Sequence, residues 1–183
     1  MNRRASTALP LYTAAERERR DASPWTWIQG VLAPLQFVAF AVSLFLVLRY
    51  LYHGQGLAAA TISVLVKTAL LYAIMITGSL WERDVFGKYL FARPFFWEDV
   101  VSMLVIALHT AYLTALLGGL LSARQLMLLA LAAYASYVIN AAQFLIKFRA
   151  ARLAAPPRAA PLAMPPTTAS PAGAPGIAAG ALE

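Results

Sequence analysis

Four long apolar stretches leave this chain few ways to fold. They cover about Ile28–Leu51, Leu57–Trp81, Trp97–Leu117 and Leu126–Ile146. Each has about twenty residues or more, and a helix rising about 1.5 Å per residue then spans a hydrocarbon core of about 30 Å. Because backbone polar groups in lipid must be satisfied within the segment, each stretch is predicted to be a helix. The sequence therefore predicts an all-α polytopic membrane protein.

The connections between these stretches predict an up-down four-helix bundle. The first is a tight turn at residues 52–56 and the third lies around Gly118 and Gly119, so the helices that they join should be antiparallel neighbours. The first helix should begin at Pro24, with Ser23 as its N-cap. The middle connection, residues 82–96, is longer and rich in Phe, and we expect it to lie in the membrane interface.

The two ends of the chain differ in character. Residues 1–22 are polar and are expected to form an arm, in which Thr13 and Glu16 have the spacing of a capping box. Residues 23–152 form the predicted transmembrane domain. Residues 153–183 are rich in Pro and Ala with little to bury, so this tail is predicted to be disordered.

The basic residues predict the orientation. Five of the fifteen Lys and Arg lie in the arm, three in the middle connection and four after the last helix, whereas only Arg49 and Arg124 flank the other side. This asymmetry places both termini and the middle connection in the cytoplasm. The net charge of +7 is therefore assigned to topology and lipid contact, not to nucleic acid. The chain has no Cys, which excludes disulfides and thiolate chemistry.

Half of the eight acidic residues lie within residues 82–99, between two apolar spans. Carboxylates at the mouth of a membrane bundle are costly unless they are solvated, paired or used, so any chemistry is expected here. The residues concerned are Glu82, Asp84, Glu98 and Asp99. A purely structural alternative pairs them with the neighbouring cations Arg83, Lys88 and Arg93.

Polar residues also lie inside the predicted helices. Counted at about 1.5 Å per residue from the cytoplasmic ends, Lys67 lies roughly 21 Å deep, His109 roughly 18 Å, Gln36 about 12 Å and Asn140 about 10 Å. We expect a cavity open to the cytoplasm, with carboxylates at its mouth and Lys67 and His109 at its floor. The alternatives are a satisfied core histidine at His109 and interhelical hydrogen bonds for Gln36 and Asn140. Lys67 is hardest to explain structurally, because burying a lone ammonium is expensive.

Several function classes fit poorly. No hydrolase, kinase or dinucleotide motif is present. Two His residues facing each other could hold haem, but His53 and His109 lie at different depths. A proton-coupled carrier would need a carboxylate deep in a helix, and every carboxylate here lies near an end.

Long strings of the sequence resemble the bacteriochlorophyllide vinyl hydratase family over about residues 11–152. The strings are Tyr12-Thr-Ala-Ala-Glu-Arg, Asp21-Ala-Ser-Pro-Trp-Thr, Gln29-Gly-Val-Leu-Ala-Pro-Leu-Gln-Phe, Val66-Lys-Thr, Leu71-Tyr-Ala-Ile-Met, Trp81-Glu, Phe95-Phe-Trp-Glu-Asp-Val, Leu108-His-Thr-Ala-Tyr and Tyr137-Val-Ile-Asn-Ala-Ala-Gln-Phe. The resemblance implies a lyase that hydrates the C3 vinyl group of chlorophyllide a to a 1-hydroxyethyl group, without a cofactor. It also implies a bacterial inner membrane and the company of other enzymes of bacteriochlorophyll synthesis.

Hydration of a vinyl group needs a proton donor, a base and water, and this need suggests roles for the acidic stretch. Glu98 is the first choice for the acid, with Asp99 or Glu82 as its partner, because two converging carboxylates divide into one acid and one base. His109 is an alternative base, or an axial ligand to the magnesium of the substrate. Lys67 would hold water or stabilise a carboxylate.

The remaining candidates would bind the substrate. Its propionate calls for a cation, and its ring for aromatic and polar contacts. The candidates are Arg83, Lys88 and Arg93 for the propionate, Phe95, Phe96 and Trp97 for the ring, and Gln36 and Asn140 in the bundle. A non-catalytic protein that binds or delivers pigment would use the same aromatics and His109 without needing convergent carboxylates. A small transporter is the third hypothesis, and it predicts movement of a solute across sealed vesicles.

Overall fold

The structure is a computed structural model that describes residues 11–154. Its helices are α1 (Ala14–Ala22), α2 (Pro24–His53), α3 (Leu57–Phe86), α4 (Phe96–Leu117) and α5 (Ala123–Ala154), with a 3₁₀ turn at Arg93–Phe95. Residues 11–154 contain no strand, so the all-α class is confirmed. Most of the predicted disordered tail, and the first ten residues of the arm, lie outside the described residues.

The four long helices have the length and composition of membrane spans. Since α2 and α3 have 30 residues each, they are about 45 Å long and extend beyond a hydrocarbon core. Large apolar side chains lie exposed on the outer faces, including Phe37, Phe45 and Leu145. A lipid environment accounts for this exposed apolar surface, which would be unfavourable in water.

The bundle consists of two antiparallel hairpins. α2 packs mainly on α3, and α4 packs mainly on α5, as the short connections predicted. Gly54 ends α2 with φ 69°, a left-handed conformation that glycine adopts without steric cost. We call the end that carries the two short turns the hairpin end. The opposite end, formed by α1, the α3–α4 connection and the end of α5, is called the acidic end.

The middle connection is shorter than predicted. α3 continues through Phe86, so Glu82 lies on the helix and not in a loop of residues 82–96. The reason is continued burial: Val85 is fully buried, and Trp81 and Phe86 both pack against Phe95. The connection proper is residues 87–92, followed by the 3₁₀ turn. Its position in the membrane interface stays a prediction.

α1 lies against the acidic end of α3. Its predicted capping box is confirmed, because Thr13 and Glu16 exchange hydrogen bonds between side chain and backbone. The bond from the Thr13 backbone N–H also lowers the pKa of the Glu16 carboxyl. Arg19 Nε donates to the carbonyl of Val85 at 2.8 Å, which ties α1 to the last turn of α3. Ser23 is the N-cap residue of α2 as predicted, but its hydroxyl donates to Asp84 at 2.9 Å instead of capping the helix.

Candidate active site

Three of the four clustered acidic residues are buried at the acidic end. Glu82, Glu98 and Asp99 are 5 %, 6 % and 4 % exposed, whereas Asp84 is exposed and accepts the hydrogen bond from Ser23. Buried carboxylates require partners. Glu82 and Asp99 lie next to each other, whereas Glu98 pairs with a lysine.

Glu82 and Asp99 form a pair, which we call the dyad. Their carboxyl groups, one on α3 and one on α4, lie close together. Glu82 Oε2 also accepts from the backbone N–H of Ala92 at 3.1 Å, and Asp99 Oδ2 accepts from that of Phe91 at 2.7 Å. Two consecutive peptide N–H groups of the α3–α4 connection therefore hold the two carboxyl groups in place.

The backbone of Phe91 is strained in a way that serves this arrangement. Its φ is 60°, a left-handed conformation that costs a residue with a side chain roughly 1–2 kcal/mol. Such strain persists only where the surroundings impose it, and it is concentrated at functional sites. Here the conformation directs the N–H of Phe91 toward Asp99.

Glu98 pairs with a cation instead of a carboxyl group. Lys147 Nζ donates to Glu98 Oε2 and to the carbonyl of Pro94. The ammonium also lies 5.1 Å from the ring centroid of Phe95. This ion pair joins the end of α5 to the start of α4.

A cavity of about 680 Å³ opens beside the dyad, between the two hairpins. This volume lies in the range of small-molecule sites, about 300–1,000 Å³. Glu82 and Asp99 lie in its wall, and Glu98 does not. The wall is mostly apolar and consists of Gln29, Ala33, Pro34, Gln36, Phe37, Val38, Leu71, Ile74, Met75, Gly78, Ser79, Trp81, Glu82, Leu90, Phe95, Asp99, Ser102, Tyr137, Asn140, Ala141, Phe144, Leu145 and Phe148.

The cavity reaches the outer surface of the bundle between α2 and α5. Phe37, Val38 and Leu145 are wall residues, yet they are 57 %, 59 % and 68 % exposed. They therefore line the cavity and the lipid-facing surface at once.

Two predicted polar residues lie in the wall. Asn140 donates both hydrogens of Nδ2, to the carbonyl of Glu98 at 2.8 Å and to Ser102 Oγ at 3.0 Å. Gln36 is only 2 % exposed, and neither its Oε1 nor its Nε2 has a hydrogen-bond partner among the described residues. Asn140 thus joins α5 to α4, while the Gln36 amide is left free.

Of the three aromatic residues predicted to contact the substrate ring, one lies inside the bundle and two lie on its surface. Phe95 is buried in the wall and packs against Trp81 and Phe144. Phe96 and Trp97 are exposed and do not line the cavity. Only Phe95 of the three is therefore placed to contact a ligand in the cavity.

The predicted cations lie outside the cavity wall, at the acidic end. Arg83, Lys88 and Arg93 are all exposed. The guanidinium of Arg83 lies 5.0 Å from the ring centroid of Tyr89. These side chains lie in and beside the α3–α4 connection.

Lys67 and His109 are deeply buried, but they do not form the floor of the cavity. Both are fully buried, both contact Tyr134, and neither lies in the wall. Lys67 Nζ is 4.0 Å from the ring centroid of Tyr137, a wall residue, and His109 Nδ1 bonds to the carbonyl of Val105. His109 therefore has no direct access to a ligand in this cavity. Among residues 11–154, no three metal-ligating side chains converge.

Sequence reasoning missed Lys147 and the wall residues Tyr137 and Phe144. In the sequence, Lys147 stands out only as one of the basic residues after the last helix. A signal was available, because Asn140, Phe144 and Lys147 recur at helical spacing and share one face of α5. The length of α5, which runs to Ala154, keeps Lys147 on that face.

The fold and the cavity define a class: a polytopic helical membrane protein with a ligand-sized cavity bordered at one end by buried carboxyl groups. A family model described as 2-vinyl bacteriochlorophyllide hydratase (BCHF) matches residues 12–150. A curated relative of that name from Rhodobacter capsulatus is 66% identical over 79% of this chain and 84% of its own length. Another, from Cereibacter sphaeroides, is 65% identical over 78% of this chain and 89% of its own. The chain belongs to the 2-vinyl bacteriochlorophyllide hydratase family, which confirms the resemblance in its sequence. No solved structure matches it.

Proposed function

We propose that this protein is a hydratase of bacteriochlorophyll biosynthesis that adds water across the C3 vinyl group of chlorophyllide a. This position is number 2 in the older ring numbering that the name of the relatives uses. The product would carry a 1-hydroxyethyl group. Family membership supports the reaction class. The observation that carries the mechanism is the dyad of Glu82 and Asp99 in the wall of a cavity of suitable size.

The reaction is an acid-catalysed addition. A proton goes to the terminal CH₂ of the vinyl group and makes it a methyl group, and the positive charge develops on the carbon next to the ring. The macrocycle delocalises this charge. Water then attacks that carbon and gives up a proton to a base, so one water is added and no electrons are exchanged.

The dyad supplies both proton transfers. Two carboxyl groups that face each other at close range favour a state in which they share one proton. The protonated member donates to the CH₂, and the ionised member takes the proton from the attacking water. The proton of the dyad then lies on the other carboxyl group. Transfer of this proton between the two carboxyl groups restores the starting state. This cycle needs no cofactor and does not depend on which carboxyl group carries the proton first.

Glu98 suits a positioning role better than the role of acid that the sequence suggested. Its carboxylate is ion-paired with Lys147, and it lies outside the wall. A side chain that is turned to Lys147 and lies outside the wall is not placed to donate a proton to a ligand in the cavity. Its ion pair and its neighbour Asp99 suggest that it fixes the start of α4, and with it the dyad.

The remaining features suggest how the substrate lies. The ring would occupy the apolar cavity against Phe95, with the vinyl group at the dyad and Asn140 nearby. Its propionate would extend to the acidic end, where Arg83, Lys88 and Arg93 are exposed. The excess of basic residues at this end supports a bacterial inner-membrane location with both termini in the cytoplasm. Other enzymes of the pathway would then meet the same face.

The test is direct hydration by membranes that contain the protein. They are incubated with chlorophyllide a in water without added cofactors, and the pigments are separated and weighed by mass spectrometry. We expect a product heavier by one water. Glu82→Gln and Asp99→Asn should each slow turnover about 10²–10⁴-fold, the usual contribution of a positioned acid or base. Glu18→Gln, an exposed change in α1, is the matched control.

Two outcomes would contradict the proposal. Normal turnover in Glu82→Gln would remove the dyad from the mechanism. A wild-type protein that retains the pigment but never hydrates it would instead favour a binding or delivery protein. The pH dependence is a further check, because the dyad works only with one proton. Turnover should fall at low pH, where no base remains, and at high pH, where no acid remains.

A further inference from the structure

The free amide of Gln36 is unusual for a membrane helix. A buried amide without hydrogen bonds costs roughly 1–3 kcal/mol, and buried polar groups are nearly always paired. Gln29, one heptad earlier on α2, is paired: its Nε2 donates to Thr77 Oγ1 at 2.7 Å and to the carbonyl of Ile74 at 3.1 Å. Gln36 has no partner among residues 11–154 although it lies in the cavity wall. This is the arrangement expected of a group that binds a ligand.

Several other polar groups of the wall already make hydrogen bonds. Asn140 uses both of its Nδ2 hydrogens, Ser79 donates to the carbonyl of Ile76, and Ser102 donates to that of Glu98. The dyad is occupied by its own bonds and by the proposed chemistry. Among the described wall residues, Gln36 alone has a side-chain amide whose oxygen and nitrogen are both fully buried and both without a partner.

A magnesium chlorin offers one group that calls for such an oxygen. Its magnesium is held in the ring plane by four nitrogens and takes a further neutral donor along the axis. Magnesium prefers oxygen donors, and an amide carbonyl supplies one without adding charge to the membrane interior. Resting on the proposed function, we propose that Gln36 Oε1 is the axial ligand to the magnesium of the substrate. His109, the ligand suggested by the sequence, lies outside the wall.

The position of Gln36 suits the centre of a ring whose edge reaches the dyad. Thr26 lies level with Trp81, because Trp81 Nε1 donates to Thr26 Oγ1 at 3.0 Å. Gln36 is ten residues further along α2, roughly 15 Å. Side chains lean toward the N-terminus of their helix, so Gln36 and Glu82 lean toward each other from antiparallel helices. A macrocycle between them can contact both.

The test compares the magnesium pigment with its metal-free counterpart, in which two protons replace the metal. Binding is measured by pigment titration in detergent, and KM by hydration. The wild type should prefer the magnesium pigment about tenfold, equivalent to about 1.4 kcal/mol. Gln36→Leu should weaken binding of the magnesium pigment about tenfold and leave binding of the metal-free pigment unchanged. The preference for the magnesium pigment should therefore disappear. Gln36→His, which restores a neutral donor, should restore it.

Gln143→Leu is the matched control, because it removes an amide on α5 outside the cavity wall and should keep the preference. Resonance Raman bands that report coordination of the bound pigment should change only in the Gln36 variants. If Gln36→Leu weakens binding of both pigments equally, or changes the binding of neither, Gln36 is not the ligand to the magnesium. Absence of hydration by the wild type would overturn the proposed function instead, and pigment titration would still report on Gln36.

Discussion

The ion pair between Glu98 and Lys147 allows a prediction about stability that does not depend on turnover. Glu98 is almost fully buried, and the side chain of Lys147 is 26% exposed. Lys147→Met keeps most of the apolar stem near Phe95 but leaves a buried carboxylate without its cation. Removing one partner of a buried pair typically costs about 3–5 kcal/mol. Because Lys147 is partly exposed, water can take part of its place, and we expect about 2–3 kcal/mol.

The double-mutant cycle is the decisive measurement. Glu98→Gln leaves an ammonium that still reaches water, so we expect about 1 kcal/mol. The double variant carries neither charge, and its loss should be at least 1 kcal/mol smaller than the sum of the two single losses. Thermal unfolding in detergent, followed by tryptophan fluorescence, should show Tm about 4–12 °C lower for Lys147→Met. Lys88→Met, an exposed control, should change stability by less than about 0.5 kcal/mol. Additive losses in the cycle would refute the assigned pairing.

Three further predictions follow from burial and from the cavity. Lys67→Met should raise Tm, because desolvating the ammonium costs several kcal/mol and its contact with the ring of Tyr137 returns only about 2 kcal/mol; a lower Tm would show that the charge is stabilised in the protein. Ala141→Phe should fill the cavity and abolish pigment binding in a titration, while Ala142→Phe, on the exposed face of α5, should not; equal binding by both would place the pigment elsewhere. Deleting residues 155–183 should leave turnover unchanged, and a large loss would give the tail a role.

The architecture could be predicted because each of its causes is local in the sequence. Long apolar runs specify spans, and glycines such as Gly54 specify turns where a left-handed residue is needed. Thr13 and Glu16 predicted a capping box that the structure confirms. The end of α3 was predicted too early, because the charges at residues 82–84 resemble a boundary, while the burial of Val85 is visible only once α1 and Phe95 are in place.

The sequence predicted which residue types form the candidate site and in which region of the chain they lie. It did not predict which of these side chains pair with each other. Sequence spacing put Glu98 and Asp99 at the mouth of the bundle, and it could not show that Glu98 would meet Lys147 while Asp99 meets Glu82. Adjacent residues on a helix point about 100° apart, so the rotation of α4 against its neighbours decides the partners. The depth count likewise placed Lys67 and His109 at the floor of the cavity. It could not show that Tyr137, whose ring lies 4.0 Å from Lys67 Nζ, would line the cavity while Lys67 and His109 would not.

The opening of the cavity between α2 and α5 has a consequence for kinetics. Because Phe37, Val38 and Leu145 face both the cavity and lipid, a pigment dissolved in the bilayer can reach the dyad by lateral diffusion, without passing through water. The concentration that governs the rate is then the mole fraction of pigment in the membrane. Adding empty vesicles that fuse with the enzyme-containing ones should slow hydration by surface dilution, while doubling the aqueous volume at constant lipid should leave the rate per membrane unchanged. On the proposed function, the bilayer would act as the substrate reservoir, and we expect membrane composition to be one of the kinetic variables.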